Sequence, residues 1–229
     1  MKQYLTRYKI AIGIAILFHV SGFIGILFTP YAHWFIENTP LNLVLMFGLL
    51  IYTQHYRSRR FYLFMLIAFV VGMLSEMIGV HTGKLFGHYH YGNVMGHKLL
   101  GVPFLIGINW FVVVFSAGII MRKINIWLEA RYLPEGQQMR PGFKAASFII
   151  DGALLATFFD FIMEPVAIDL NFWQWHTPYV PFYNYICWFF ISAFLLILFR
   201  KLNFNKNNHF AVHLFIIQSL FFIALQIFL

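Results

Sequence analysis

The chain has 229 residues, of which 61% are hydrophobic, 21% aromatic and 10% charged. These proportions exclude a soluble globular domain and predict an integral membrane protein. The net charge of +8 would suit a nucleic-acid-binding protein. The basic residues, however, are grouped in alternate loops between apolar segments, as in membrane proteins, so we expect no nucleic-acid partner. The single cysteine, Cys187, excludes an intramolecular disulfide.

Seven apolar segments follow one another, each near the roughly 20 residues that a membrane-spanning helix needs. They cover residues 8–28, 41–56, 61–80, 100–121, 145–166, 182–200 and 209–228, and the second is short. The first has the basic start of a signal peptide but lacks a small-x-small cleavage site, so we interpret it as a retained helix. The sequence therefore predicts an all-α, polytopic membrane protein with about seven transmembrane helices in a single domain, 1–229.

Loops rich in basic residues alternate with loops that have few. Every lysine and arginine except Lys84 and Lys98 lies before the first helix or between helices two and three, four and five, or six and seven. By the positive-inside rule, this pattern predicts a multi-pass protein of the cell (inner) membrane with a cytoplasmic N-terminus and an external C-terminus. The loops 81–99 and 167–181, which are rich in His, Tyr, Trp and Gly, then face the outside.

Helices three and four and helices five and six share a sequence pattern. It runs from a glutamate through Phe-x-x-aromatic-His to Val-Pro-Phe and a tryptophan: Glu76, Phe86, Tyr89-His90, Val102-Pro103-Phe104 and Trp110, then Glu164, Phe172, Trp175-His176, Val180-Pro181-Phe182 and Trp188. The two hairpins therefore look like parallel copies of one unit. Such repeats are related by an axis along the membrane normal, and sites are common at their interface.

Four carboxylates stand in otherwise apolar segments, where an ionisable group costs about 2.5–3.5 kcal/mol: Glu76, Asp151, Asp160 and Glu164. Asp160 and Glu164 are four residues apart and hence on one helix face. The repeat places Glu76 opposite Glu164, at the same end of the membrane. Asp151 lies nearly opposite Asp160 around the helix, and we expect it to snorkel or pair near Lys144.

Crowded carboxyls in a low-dielectric site cannot all ionise, so one remains protonated beside a carboxylate. That pair supplies a general acid and a general base. The alternative is a set of buried hydrogen bonds that link the helices without chemistry.

Other chemistries fit the residues less well. The loop histidines, His81, His88, His90 and His97, lack the tight clusters of diiron membrane hydroxylases, so we expect no metal. Helix seven has no lysine for a retinal Schiff base. Asp160-x3-Glu164 resembles the Asp-x3-Asp of membrane prenyltransferases, but a second magnesium-binding motif is missing.

Residues 70–190 resemble the membrane-bound carotenoid biosynthesis family, which includes carotenoid 1,2-hydratases acting on γ-carotene-type and bacterioruberin-type precursors. The motifs that carry the resemblance are Glu76, Gly79, Thr82-Gly83, Phe86-Gly87-His88-Tyr89-His90-Tyr91, Gly101-Val102-Pro103, Trp110-Phe111, Glu164-Pro165, Trp173-Gln174-Trp175, Val180-Pro181, Asn184 and Trp188. The resemblance implies hydration of a terminal C1–C2 double bond of an acyclic carotenoid to a tertiary alcohol, without a cofactor.

The predicted site follows from the carboxylates and this chemistry. A protonated acid would deliver H⁺ to C2, a carboxylate would deprotonate water attacking C1, and aromatic rings would stabilise the cation. We expect the acid and base among Glu76, Asp160 and Glu164. Substrate- and water-positioning residues are expected among His81, Tyr89, His90, Asp169, Trp173, Trp175, Asn184 and Trp188. The polyene would lie among the apolar helices, in the lipid bilayer.

Two rival functions remain open. A carotenoid cyclase also begins with protonation, but its cation is trapped by an internal double bond in a dry site, and the polar loops here favour water entry. A binding or transport protein would use the acids for proton coupling. It would need a polar path from the cytoplasmic side, where Asp151 is one of few polar residues in the helices.

Overall fold

The computed structural model describes residues 2–229, with side chains described from Thr6 onward. Helices dominate the described chain, and two short antiparallel strand pairs join them. The helices are α1 (Lys2–Phe28), α2 (Ala32–Glu37), α3 (Thr39–Thr53), α4 (Arg59–Thr82), α5 (Phe104–Tyr132), α6 (Pro141–Asp169), α7 (Phe182–Lys201) and α8 (His209–Phe228). The strands are β1 (Tyr89–Tyr91), β2 (Lys98–Leu99), β3 (Val102–Pro103) and β4 (Trp173–Trp175).

Six helices of the described chain, namely α1 and α4 to α8, are long and apolar enough to cross a membrane. The prediction of an all-α, multi-pass membrane protein is therefore confirmed. The second predicted span differs, because α3 has 15 residues. At a rise of about 1.5 Å per residue, α3 is shorter than the roughly 30 Å of a bilayer core. Pro40 stands in its first turn, the preceding chain folds as the separate α2, and Gln54 is extended at its end.

Helix α5 is the centre of the bundle. Its most apolar window is 83% buried, against 22–44% for the corresponding windows of the other long helices. It packs against α3, α4, α6, α7 and α8. Near the end of α5 that carries Arg122, edge-to-face and stacked phenylalanines fill the core: Phe61, Phe64, Phe111, Phe115, Phe199 and Phe204.

The two ends of the bundle differ in chemistry. At one end, which we call the ribbon end, β1 pairs with β4, although α5 and α6 separate the two strands in the sequence. The hairpin β2–β3 lies beside it, with Leu100 and Gly101 in its two-residue turn. Both turn residues have positive φ, of 48° and 79°, as a type I′ turn requires. The Lys98 ammonium donates to the Tyr91 carbonyl at 2.7 Å and ties this hairpin to β1.

The opposite end, which we call the basic end, carries the loops between α3 and α4, α5 and α6, and α7 and α8. Most of the basic residues lie in these loops or in the helix segments that flank them, so the charge asymmetry in the sequence corresponds to the two ends of the bundle. Arg7 and Lys9 lie within α1 instead of before it, and the Lys2 side chain lies outside the described residues. Which end faces the cytoplasm stays a prediction.

Of the two alternatives predicted for Asp151, snorkelling or pairing near Lys144, the pairing is not formed. Lys144 does not pair with Asp151 but forms an ion pair with Glu129, with 2.7 Å between Nζ and Oε2. Asp151 is exposed and accepts a hydrogen bond from the Ser147 hydroxyl at 2.6 Å. The reason is reach: Lys144 and Glu129 face each other across the α5–α6 turn, whereas Asp151 lies almost two helical turns beyond Lys144.

Candidate active site

Three buried carboxylates line one small cavity near the ribbon end. Glu76 from α4 is 4% exposed, and Asp160 and Glu164 from α6 are 1% and 2% exposed. The cavity offers about 30 Å³ to the centres of water-sized molecules, which is room for about two waters. The structure thus brings together the three carboxylates that the sequence singled out.

Glu76 accepts three hydrogen bonds. Its Oε2 accepts from the hydroxyls of Tyr89 and Tyr91, the latter at 2.8 Å, and its Oε1 accepts from the Trp110 indole N–H at 2.9 Å. Burial, and then the charge of Glu76, raise the pKa of both tyrosines well above the usual value. The two hydroxyls therefore keep their protons and remain donors to this carboxylate.

Glu164 also accepts three hydrogen bonds. The indole N–H groups of Trp173 and Trp175 both donate to Oε2, at 2.9 and 3.0 Å. The Asn184 amide donates to Oε1 at a longer 3.4 Å. An indole N–H has no acceptor capacity, so these contacts identify Oε2 of Glu164 as an unprotonated oxygen.

Asp160 is held differently. Asn184 Nδ2 donates to its Oδ2 at 2.7 Å, and this is the one side-chain donor to Asp160 within the described residues. Asn184 therefore bridges Asp160 and Glu164, one helical turn apart on α6. Hydrogen bonds to a carboxylate favour its charged form, so the three acids are unequally supported, with Asp160 the least.

Among the side chains that the structure describes, no basic group compensates these acids. Across residues 6–229 the ion pairs within 4 Å are His33–Glu37 and Lys144–Glu129, both away from the cavity. Three uncompensated negative charges in an apolar interior would cost several kcal/mol each. The cluster must therefore hold at least one proton.

A two-stranded ribbon, formed by β1 and β4, positions most of the donors. Its register pairs Tyr89 with Trp175 and Tyr91 with Trp173, and the ring centroids of these pairs are 5.0 and 5.9 Å apart. Alternate residues of a strand share a face, so all four rings face the carboxylates. We call this element the aromatic ribbon.

Two tryptophans from the next helices complete the cavity wall. Trp110 and Trp188 stack with 3.8 Å between centroids and 11° between planes. Trp110 also approaches α4 so closely that a Cβ added to Gly72 would lie 2.5 Å from Trp110 Cγ. Gly72 is therefore required for the position of the indole that donates to Glu76.

The structure places the other predicted site residues in two groups. The first group lines the cavity with the acids: Tyr89, Trp173, Trp175, Asn184 and Trp188. The second group lies elsewhere and is exposed: His81, His90 and Asp169. His81 bonds to the Met77 carbonyl, and Asp169 lines a separate cavity with His33 and Glu37.

The strand alternation explains why His90 is outside: it lies between Tyr89 and Tyr91 and points to the opposite face. His90 instead lies near His176, with 5.7 Å between ring centroids, and His176 stacks on His88 at 6.1 Å. Within the described residues, no three His, Cys, Asp or Glu side chains are arranged to hold a metal ion.

Sequence reasoning missed two donors, Tyr91 and Trp110, as site residues. The signal for Tyr91 was present, because Tyr89-His90-Tyr91 and Trp173-Gln174-Trp175 alternate aromatic and polar residues with the period of a strand. Trp110 was visible in the repeat, but its role depends on the close approach of α5 to Gly72.

The fold and the site define a class: a multi-pass membrane protein with a buried carboxylate cluster under an aromatic ribbon. Residues 38–229 match the model of the carotenoid biosynthesis protein family, so the chain belongs to that family. It is also similar to a bisanhydrobacterioruberin hydratase of Haloarcula japonica, with 29% identity over 133 residues. The aligned part is 54% of this chain and 39% of that relative. No solved structure matches the chain.

Proposed function

We propose that this protein is a carotenoid hydratase that adds water across the terminal C1–C2 double bond of an acyclic end group and gives a tertiary alcohol. The family match supports a role in carotenoid biosynthesis, and the similarity to a bisanhydrobacterioruberin hydratase supports hydration. The observation that carries the proposal is the cluster of three buried acids, without a basic partner, around a cavity large enough for water.

The unequal hydrogen bonding of the three acids supports separate roles for them within this proposal. Glu76 and Glu164 each accept three donors and stay ionised, whereas Asp160, with one donor, holds the proton. Asp160 is therefore the general acid. Glu164 is the general base, because its Oε1 has a single, long contact to Asn184 and keeps acceptor capacity toward the cavity.

The reaction balances without a cofactor. The π electrons of C1=C2 take the Asp160 proton to form the C2–H bond, which leaves a tertiary cation at C1. Water attacks C1, and Glu164 accepts the proton that the water releases. Transfer of that proton from Glu164 back to Asp160, one helical turn away, restores both groups.

Glu76 has a separate task in this scheme. It stays a carboxylate, held by two tyrosine hydroxyls and one indole, and its fixed negative charge stabilises the cation. Aromatic rings that line the cavity, among them Trp173, Trp175 and Trp188, add a cation–π contribution. Preorganised charge of this kind acts most strongly where water is largely excluded.

The end group must open the cavity to react. A five-carbon end group is larger than the space for about two waters, so lining side chains have to move when it enters. Met163 is unbranched and flexible, and Trp175 is half-buried at the surface. These two side chains are therefore the best suited to move when the end group enters. The polyene itself would remain among lipid-facing helices.

The test is the mass of the pigments extracted from cells that accumulate an acyclic-ended carotenoid, with and without this protein. A gain of one water per reacted end is expected. An isomer of unchanged mass with a shifted absorption spectrum would indicate a cyclase instead. Unchanged pigment across several acyclic carotenoids would contradict an enzymatic role and favour binding or transport.

A further inference from the structure

A second cavity lies at the basic end, opposite the carboxylates. It offers about 320 Å³ to the centres of water-sized molecules. Four cationic side chains line it, from three helices and the loop after α7: Arg122, Lys144, Arg200 and Lys206. We call it the basic cavity.

Its positive charge is poorly compensated within the described chain. Lys144 pairs with Glu129, but the hydrogen bonds of Arg122 and Lys206 are to backbone carbonyls. Arg122 donates to the Lys206 carbonyl at 3.2 Å, and Lys206 Nζ donates to the Leu202 carbonyl at 2.7 Å. Burial, and then the charges of Arg122 and Arg200, lower the pKa of Lys206 to about 8. The cavity therefore favours an anion.

An independent feature also points to a ligand. Asn125 lines the same cavity and is 2% exposed, yet its Oδ1 has no hydrogen-bond partner. Nearly all buried polar atoms in folded proteins are paired. Oδ1 is an acceptor, so a bound group that carries a hydroxyl or N–H donor would satisfy it.

The floor of the cavity is apolar. Phe148 and Phe199 stack with 5.8 Å between centroids, and Lys206 Nζ lies 5.4 Å from the Phe199 centroid. Ile126 at the rim and the neighbouring Trp127 are 47% and 57% exposed on α5. A site lined by both cationic and apolar side chains fits an amphipathic anion better than an inorganic anion.

We propose that the basic cavity binds the phosphate-bearing head group of an anionic phospholipid, whose acyl chains lie along the exposed face of α5. Basic pockets between transmembrane helices suit such head groups, and each Lys or Arg contributes to their retention. The shared chemistry is a phosphate oxyanion, so free phosphate is the competing source. This inference is independent of the hydratase proposal.

The experiment uses the purified full chain in neutral detergent. Mixed micelles with phosphatidylglycerol, mixed micelles with phosphatidylcholine, and inorganic phosphate alone are compared by native mass spectrometry and thermal unfolding. We expect phosphatidylglycerol to be retained and to raise the melting temperature, and the other two to do neither. Equal effects of phosphatidylcholine, or of inorganic phosphate, would overturn the assignment.

Two matched double variants locate the site. Arg122→Gln with Lys206→Gln should weaken phosphatidylglycerol retention about 30-fold. Arg59→Gln with Arg60→Gln removes the same charge from the same end of the bundle but outside the cavity. This control should change phosphatidylglycerol retention less than about twofold. Equal losses would show diffuse surface attraction and overturn the proposal. If the first variant fails to fold, Asn125→Leu, which changes no charge, must still weaken retention.

Discussion

The hairpin α4–β1–α5 and the hairpin α6–β4–α7 build similar half-sites, which differ most at one position. Each holds a glutamate with two aromatic donors from its own strand, and each next helix places a tryptophan at its seventh residue, Trp110 or Trp188. These tryptophans stack on each other, as expected for two copies around an axis along the membrane normal.

The difference lies one helical turn before each glutamate. The second hairpin has Asp160 there, whereas the first has Gly72, against which Trp110 packs. The third donor differs accordingly: it is the Trp110 indole for Glu76 and the Asn184 amide for Glu164. The repeat accounts for the two glutamates, and the position where the two hairpins differ supplies Asp160, the proposed acid. The proton donor of the proposed reaction belongs to the second hairpin alone.

The largest effect is expected at the position where the hairpins differ. Asp160→Asn keeps the shape and the Asn184 contact but removes the transferable proton, so hydration should fall by roughly 10²-fold or more. Asp151→Asn, on the same helix but exposed, is the control and should leave the rate unchanged. Rates of hydrated-pigment formation in membranes, followed by mass, give the comparison. Full activity in Asp160→Asn would show that Asp160 is not the general acid and would leave that role to Glu76 or Glu164.

The second prediction compares the two glutamates directly. Glu164→Gln removes the proposed base, and Glu76→Gln removes only a fixed charge, so we expect the first to lower the rate about tenfold more than the second. The same pigment assay measures both, with protein amounts matched by immunoblot. The reverse order would assign the base to Glu76.

The third prediction concerns Gly72 and stability. Gly72→Ala places a Cβ 2.5 Å from Trp110, and such overpacking destabilises by about 1–3 kcal/mol. Gly48→Ala in α3 is the matched control, because nothing lies within 4 Å of its added Cβ. It should be neutral or stabilising by up to about 1 kcal/mol. Thermal unfolding in detergent measures both, and equal melting temperatures would contradict the close approach of α5 to α4.

The smallest effect concerns the donors, which are tyrosines in one half-site and tryptophans in the other. Burial and the charge of Glu76 raise the pKa of Tyr89 and Tyr91, so both stay protonated as pH rises through the usual tyrosine value of about 10. Ultraviolet titration should therefore show the same phenolate signal up to that pH in the native chain and in Tyr89→Phe with Tyr91→Phe. A smaller signal in the double variant would mean that these hydroxyls ionise early.

Much of this arrangement was predictable from the sequence, because its causes are local. Hydropathy predicted the long helices, and charged residues within apolar segments identified the acids. The four-residue spacing of Asp160 and Glu164 predicted that they share one helix face. The β1–β4 pairing was not predicted, since it joins segments separated by two helices and depends on how the hairpins dock. That pairing decides which residues of β1 face inward, which is why Tyr91 was missed and His90 was expected in the site. Asp169 is the last residue of α6 and lines a separate cavity. The length of α3 depends on where the chain turns after α2, which hydropathy does not reveal.

The aromatic ribbon also has a consequence for biosynthesis of the protein. Tyr89 and Tyr91 leave the ribosome well before Trp173 and Trp175, with α5 and α6 made in between. The first hairpin can enter the membrane as a local unit, but β1 has no strand partner until the second hairpin arrives, and long-range pairings of this kind form slowly. The carboxylate cavity is therefore among the last parts of the chain to close. A chain halted before β4 would be inserted in the membrane but would lack an assembled site.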